Sequence, residues 1–349
     1  MTHTIHSPNT PYPSMECLFD ALVAPVKLAV LETAVELNMG HILSNTPNVN
    51  DIAKKLGIQT DTTGLIHFLD AMVAIGLANK KNNTYSNTDF GTHFFDKNSP
   101  VFVGDYIQSM KILVQKNLAD MAGIIKNGPP KVPQEDTWQS ESRWERAVAH
   151  LAIGQRAGMA AIYADLVQKL PEFEGVKKLL DLGGGPGLIG AEILDRLPGA
   201  KGVLLELPAI IPLARQELNK QGAAEKISFI AGDYNEVDLG HGYDLIWASH
   251  NLYFVKDRSS FFQRIKNALT DNGVFVCVHE GLTHEQTAPA SIVLMRLSSA
   301  LEKEGQYLSF EKGEIAACLK QAGFGRVDSR MIALPSGASE LVVARAKSV

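Results

Sequence analysis

Asp181-Leu182-Gly183-Gly184-Gly185-Pro186-Gly187 decides the reading of this 349-residue chain. An apolar run, Val176-Lys177-Lys178-Leu179-Leu180, leads into it, and a helical pattern begins near Leu188. Strand, glycine turn and helix start in that order make a small-molecule site in an open α/β sheet. Glycines let the backbone turn tightly and approach a ligand closely. The helix start offers unpaired N–H groups to an anionic part of that ligand. Asp181, at the strand end, sets a negative charge beside those donors, which suits a ligand carrying both a carboxylate and a cation. Gly185, Gly187 and Gly190 also spell the dinucleotide pattern GxGxxG, where glycines receive a pyrophosphate. Two cofactor classes therefore stand side by side. One is a nicotinamide or flavin dinucleotide, which Asp181 opposes. The other is S-adenosylmethionine, whose methionyl ammonium Asp181 suits.

Moving outward, Gly202–Pro208 reads as a second strand ending in Glu206, 19 residues past Gly187. A nucleotide-binding fold places a carboxylate on ribose hydroxyls at about that distance. Ile227–Tyr234 is a third strand reaching Asp233, an acceptor for an adenine amino group. Tyr243–Asn251 is a fourth, and Gly273–Val278 a fifth that runs into His279-Glu280. Open α/β sheets hold their ligands at such polar carboxyl ends. Asp181, Gly183, Gly185, Gly187, Glu206, Leu207, Asp233, Tyr234 and Ser249 are the expected cofactor-binding residues, and Asp181, Glu206 and Asp233 together favour S-adenosylmethionine.

These motifs resemble the plant caffeate-type and bacterial small-molecule O-methyltransferases, which use S-adenosylmethionine. The matching text is Asp181–Gly187, Leu204–Pro208, Ala231–Tyr234, Tyr243–Asn251, Val278–Leu282 and Leu319–Phe324. The resemblance implies a doubly wound, Rossmann-like α/β sheet closed by an antiparallel hairpin near Gly325–Ala333 and Ser339–Ala346. It also implies His250 as general base and Glu280 as the carboxylate that orients it. A phenol's pKa near ~10 leaves little phenolate at neutral pH, so a histidine base is apt. The family has His-Asp-Trp where this chain has His250-Asn251-Leu252, and a family carboxylate is replaced by Ser309. An N-, S- or C-acceptor served by positioning alone is therefore the alternative reading. Met159, Asn251, Phe254 and Met295 flank the expected crevice and are the acceptor-pocket candidates, with Trp138 and Tyr253 behind them.

The N-terminal half reads as helices over Phe19–Ile42, Asn50–Gly57 and Thr62–Ile75, then a hairpin over Leu77–Ser86 turning at Lys81-Asn82-Asn83. That is a winged-helix order, so a cofactor-sensing DNA-binding regulator is a third reading. Charge opposes it. Residues 1–150 hold 12 Lys/Arg against 15 Asp/Glu, and the whole chain is −5, whereas a DNA reader needs a basic face. In the resembled family this module mediates dimerisation, so a homodimer is expected and a nucleic-acid partner is not.

The domains are expected at 1–125 (winged-helix dimerisation), 126–170 (linker and bridging helices, from the breaker-rich Asn127–Pro133 into Trp138–Lys169) and 171–349 (methyltransferase). No apolar run reaches the ~18 residues of a membrane span, and the N-terminus lacks a signal-peptide pattern. Cys17, Cys277 and Cys318 are too few and scattered for a disulfide framework. The cytoplasm is the expected location. His279 and His284 lack the i, i+4 spacing of a helical zinc site, and no metal is expected.

Overall fold

The computed structural model describes residues 15–115, 118–131, 140–301 and 309–347. It divides into two compact units, residues 1–107 and 108–349.

In the first unit, α1 (Glu16–Glu36) and α2 (Met39–Asn45) replace the single expected helix. The break is at Asn38, which sits at φ 53°, a left-handed geometry that asparagine tolerates better than most side chains. Breaking there lets Gly40 lie against the backbone of Phe95, where an added Cβ would come within 2.2 Å of the carbonyl carbon. Next come α3 (Val49–Lys55), capped by the Asn48 side chain, and α4 (Thr63–Ala74). The hairpin β1 (Ala78–Lys81) and β2 (Thr84–Asn87) turns through Asn82 and Asn83, both left-handed, as a two-residue turn of this twist requires. The unit continues through α5 (Asp89–Phe95) into α6 (Gly104–Gln115). Its core is Ala34, Met39, Ile52, Leu69, Met72, Leu77, Tyr85 and Phe95. Asp70, an acid on α4, is held by the Tyr85 hydroxyl and Lys80, each at 2.6 Å.

The boundary falls inside α6, earlier than the expected residue 125. The chain breakers near Gly128 mark a loop within the second unit. That unit includes α7 (Met121–Asn127), α8 (Glu141–Gly154), a π-helical turn (Gln155–Met159) and α9 (Ala160–Gln168). Trp138 lies outside the described residues. The segment expected as a bridge is part of the core, because Ala152, Ala160, Tyr163, Ala164 and Val167 are buried with the sheet.

Then follow β3 (Lys178–Leu182), α10 (Leu188–Asp195), β4 (Lys201–Glu206), α11 (Ile211–Lys220), β5 (Ile227–Ala231), β6 (Tyr243–Ser249), α12 (Arg258–Ala268) and β7 (Leu269–His279). The chain ends through β8 (Gly281–Leu282), α13 (Ala290–Ala300), β9 (Phe310–Glu311), α14 (Glu314–Gln321), β10 (Arg326–Leu334) and β11 (Gly337–Arg345). Among the described residues, seven strands form one sheet in the order β10-β11-β7-β6-β3-β4-β5. The pairs β7–β6, β6–β3, β3–β4 and β4–β5 are parallel, while β11 runs antiparallel to both β7 and β10. This is the doubly wound α/β sheet with its closing hairpin. Alternation along β3 sends Leu179 and Asp181 to one face and Leu180 and Leu182 to the other, and each face has its own buried cluster. Chain order reverses between β3 and β6, the switch point where such sheets bind ligands.

Candidate active site

Asp181 lies at the end of β3, one residue before Leu182, and it is 4% exposed. The glycine loop folds over its carboxyl. A Cβ on Gly184 would sit 2.3 Å from the carboxyl carbon and one on Gly190 2.7 Å from Oδ2. The Gly190 N–H donates to Oδ2 at 3.1 Å, whereas Oδ1 is buried with no hydrogen-bond partner. Burial, with nearby Glu206 adding to it, pushes the Asp181 pKa up to about 7. Glu206 ends β4 and accepts from the Gly185 N–H at 3.0 Å and the Leu207 N–H at 2.8 Å. Burial raises its pKa against those two bonds.

This corrects the expectation of free N–H groups. Two of the donors in the loop and first turn are already taken by carboxylates. A pyrophosphate would meet two acids there, so the dinucleotide reading fails on charge. A cation fits. Asp181 Oδ1, Gln155 Oε1 and Asn251 Oδ1 are buried acceptors without partners, and an ammonium brings donors. Gly183, at φ 60°, is tight for another reason: a Cβ there would meet Asn251 Nδ2 at 2.5 Å. Gly187 caps α10. Asp233 follows β5; burial raises its pKa, but bonds from the Asn235 backbone and side chain and from Lys256 outweigh this and hold it low. Tyr234 donates its hydroxyl to the Asn251 carbonyl at 2.7 Å, and burial raises its pKa.

On the other side of the switch point, Ser249 ends β6 and His250 turns the chain at φ 51°. His250 Nδ1 lies 2.9 Å from Glu280 Oε1, and Nε2 lies 2.9 Å from the Tyr163 hydroxyl. Burial depresses the His250 pKa, but the charge and hydrogen bond of Glu280 raise it more, leaving it above 6.5. Glu280 is braced through its backbone. Its N–H donates to the Tyr253 hydroxyl at 3.4 Å, and its carbonyl lies 3.1 Å from His279 Nδ1. His279 is fully buried, with burial lowering its pKa, and its Nε2 lies 3.7 Å from buried Glu340. Glu340 in turn accepts the Gly313 N–H and the Ser329 hydroxyl. Glu280 Oε2 and Ser309 Oγ are buried without partners.

The pocket candidates separate. Asn251 is 9% exposed and gives its amide to the carbonyls of Leu182 and Gly183. It props the glycine loop, and its donor is not free for an acceptor. Phe254 packs edge-on against Trp144, with centroids 5.0 Å apart. Met159 lies in the π-helical turn against the core, and Met295 is exposed on α13. The residues that sequence reasoning passed over are Tyr163, Trp144 and Gln155. Tyr163 stands four residues after Met159, one helical turn along a segment read only as a bridge.

The O-methyltransferase domain model matches residues 133–325. The chain belongs to the O-methyltransferase domain family. The family depends on S-adenosylmethionine, and its member here is a methyltransferase. The chain is 24% identical to the N,N-dimethyltransferase OxyT of Streptomyces rimosus over 91% of its own length and 93% of that protein. It is 22% identical to the 3-hydroxy-5-methyl-1-naphthoate 3-O-methyltransferase of Streptomyces sahachiroi, over 90% of its length and 91% of the relative. Human N-acetylserotonin methyltransferase, solved in complex with SAM, shares the fold at a TM-score of 0.72 and 20% identity, over 98% of this chain and all of that one (100%).

Proposed function

We propose that this methyltransferase acts on the hydroxyl of a small aromatic acceptor with His250 as general base. The observation that carries this is the Glu280–His250 pair at 2.9 Å at the carboxyl edge of β6 and β7. An ionised carboxylate only accepts hydrogen bonds, so the neutral ring carries its proton on Nδ1 and keeps a lone pair on Nε2. The cofactor, when bound, supplies a methyl group on a sulfonium. Asp181 and Gln155 hold its ammonium, Glu206 its ribose and Asp233 its adenine, while Gly183, Gly185, Gly187, Leu207, Tyr234 and Ser249 line the cradle. The acceptor's O–H bond breaks as its oxygen takes the methyl group, and the proton ends on Nε2. Glu280 then faces an imidazolium, which its charge favours. Much of the remaining acceleration comes from orientation.

His250→Asn tests the base with a panel of hydroxylated aromatics and S-adenosylhomocysteine release as readout. Unchanged turnover would remove the base and leave positioning. A second reading, transfer to nitrogen, rests on the likeness to OxyT, whose name describes an N,N-dimethyltransferase; in that case a parallel panel of aromatic and aliphatic amines is turned over and the phenols are not.

The first unit, residues 1–107, is assigned to a winged-helix dimerisation module. Leu18, Phe19, Leu22, Val23 and Val26 on α1 are 46–61% exposed, an apolar face that a second copy would cover. Sedimentation velocity checks the dimer. The free thiols of Cys17, Cys277 and Cys318 suit a reducing cytoplasm. No helix among the described residues is long and apolar enough to cross a membrane.

A further inference from the structure

Both ring nitrogens of His250 are engaged. Glu280 holds Nδ1, and the Tyr163 hydroxyl stands 2.9 Å from Nε2. With the proton on Nδ1, the lone pair on Nε2 is the atom that must receive the acceptor's proton, and Tyr163 covers it. Tyr163 is not placed to swing away. It lies within α9, it is 4% exposed, and its ring packs against the fully buried Trp247 with centroids 5.4 Å apart. Its ring also belongs to the core cluster between α9, α10 and the sheet. His250, at the strand end, is no freer, since its backbone N–H donates to the Val278 carbonyl at 2.9 Å. A phenol oxygen that donates one hydrogen bond still accepts another. The route to the base therefore runs through that oxygen.

We propose that Tyr163 is a catalytic residue that relays the acceptor's proton to His250. This rests on the reading of His250 as base. In the step, the acceptor's O–H bond breaks and its proton forms a new O–H bond on Tyr163. The original Tyr163 proton passes to Nε2 at the same time. The acceptor oxygen forms its bond to the methyl carbon, and the carbon–sulfur bond breaks with its electron pair left on sulfur. Tyr163 ends neutral and His250 ends as an imidazolium beside Glu280. Tyr163 gives up one proton as it gains another, so the net transfer is from the acceptor oxygen to Nε2, drawn forward as that oxygen's electron pair is committed to the methyl carbon.

The test needs no knowledge of the natural acceptor in its first arm. The full-length protein, labelled with nitrogen-15 at histidine, is compared with Tyr163→Phe and with His250→Asn, which assigns the signal. Well above the imidazole's titration midpoint, the wild-type Nε2 resonance should show a lone pair accepting a hydrogen bond. In Tyr163→Phe it should move downfield towards the value of an unbonded lone pair, while Nδ1 stays protonated. An unmoved resonance overturns the proposal. The second arm uses simple phenols with S-adenosylmethionine and follows S-adenosylhomocysteine. Tyr163→Phe, which removes only the hydroxyl, should lower kcat by ~10²-fold or more with KM little changed. The double variant with His250→Asn should lose no more than the worse single variant, because the two act as one unit. The wild-type proton inventory in mixed water and deuterium oxide should be curved, as two protons move together, and Tyr163→Phe should lose the curvature. The failures separate. Wild-type turnover in His250→Asn removes the base reading and the relay with it. An impaired His250→Asn beside wild-type kcat in Tyr163→Phe removes the relay alone.

Discussion

The two halves of the sheet's carboxyl edge are built differently. On the β3–β4 side, carboxylates meet backbone amides: Asp181 takes the Gly190 N–H, and Glu206 takes those of Gly185 and Leu207. On the β6–β7 side, side chains meet side chains from distant segments: His250 joins Glu280 from β7's end and Tyr163 from α9, 87 residues earlier. The first half is a fixed cradle whose shape depends on glycines. The second is a set of side chains locked to one another, whose chemistry depends on their spacing. In the proposed function the same division separates binding the cofactor from acting on the acceptor.

That contrast breaks most easily on the acceptor side. His250→Asn should lower turnover of a hydroxyl acceptor by ~10²–10⁴-fold while leaving S-adenosylmethionine affinity nearly unchanged, which calorimetry and steady-state kinetics measure together. A matching loss of cofactor affinity would show that the halves are not separable. Because Glu280 holds the His250 pKa above 6.5, kcat/KM should rise with pH and level off above that value as the ring becomes neutral. Glu280→Gln removes the charge that favours the imidazolium, so the midpoint should move down.

On the cofactor side, Gly184→Ala forces a Cβ into the Asp181 carboxyl at 2.3 Å. Overpacking of this kind costs about 1–3 kcal/mol, so affinity for S-adenosylmethionine should fall by roughly tenfold or more, with kcat at saturation less affected. Isothermal calorimetry reads it directly, and full affinity would mean that the loop adapts.

Asp181 gives a pH signature of its own. Its folded pKa, about 7, lies above the ordinary 3.8. The folded, cofactor-free protein therefore keeps a proton that the unfolded chain loses between those values. Its stability should fall as pH rises from 3.8 to about 7 and gain no further slope from this group above. An ammonium ligand favours the carboxylate, so cofactor affinity should rise as pH approaches 7, with a proton released on binding. Asp181→Asn should remove both slopes in thermal melts and titrations; persistence of either would assign it to another group.

The smallest effect belongs to the rim. Lys256 is exposed and pairs with Asp233 at 3.2 Å and Glu236 at 2.9 Å. Exposed ion pairs contribute little, so Lys256→Ala should change cofactor affinity by no more than about twofold. A larger change would place Lys256 inside the cradle.

How much of this is legible in the chain follows from the same contrast. The glycine loop and the acids at β4 and β5 are readable because each is local: a positive φ, a capping position or a strand end marks its own residues, whereas the doubly wound sheet and its closing hairpin are expected through the family resemblance. His250 and Glu280 are readable through motifs at successive strand ends. The boundary at residue 107, the break at Asn38 and the burial of the bridging helix are not, since they depend on what packs against them. Asn251 shows the limit within one residue: its motif points to a pocket, yet only the fold brings the carbonyls of Leu182 and Gly183 to its amide.

Asp181–Gly187 thus settles the fold class and, with Glu206 and Asp233, the kind of cofactor, because backbone conformation and charge sign are written in adjacent residues. The partner of His250 was decided elsewhere. Tyr163 reaches His250 only when α9 packs on the sheet, and a contact spanning 87 residues leaves no periodic or local trace along the chain.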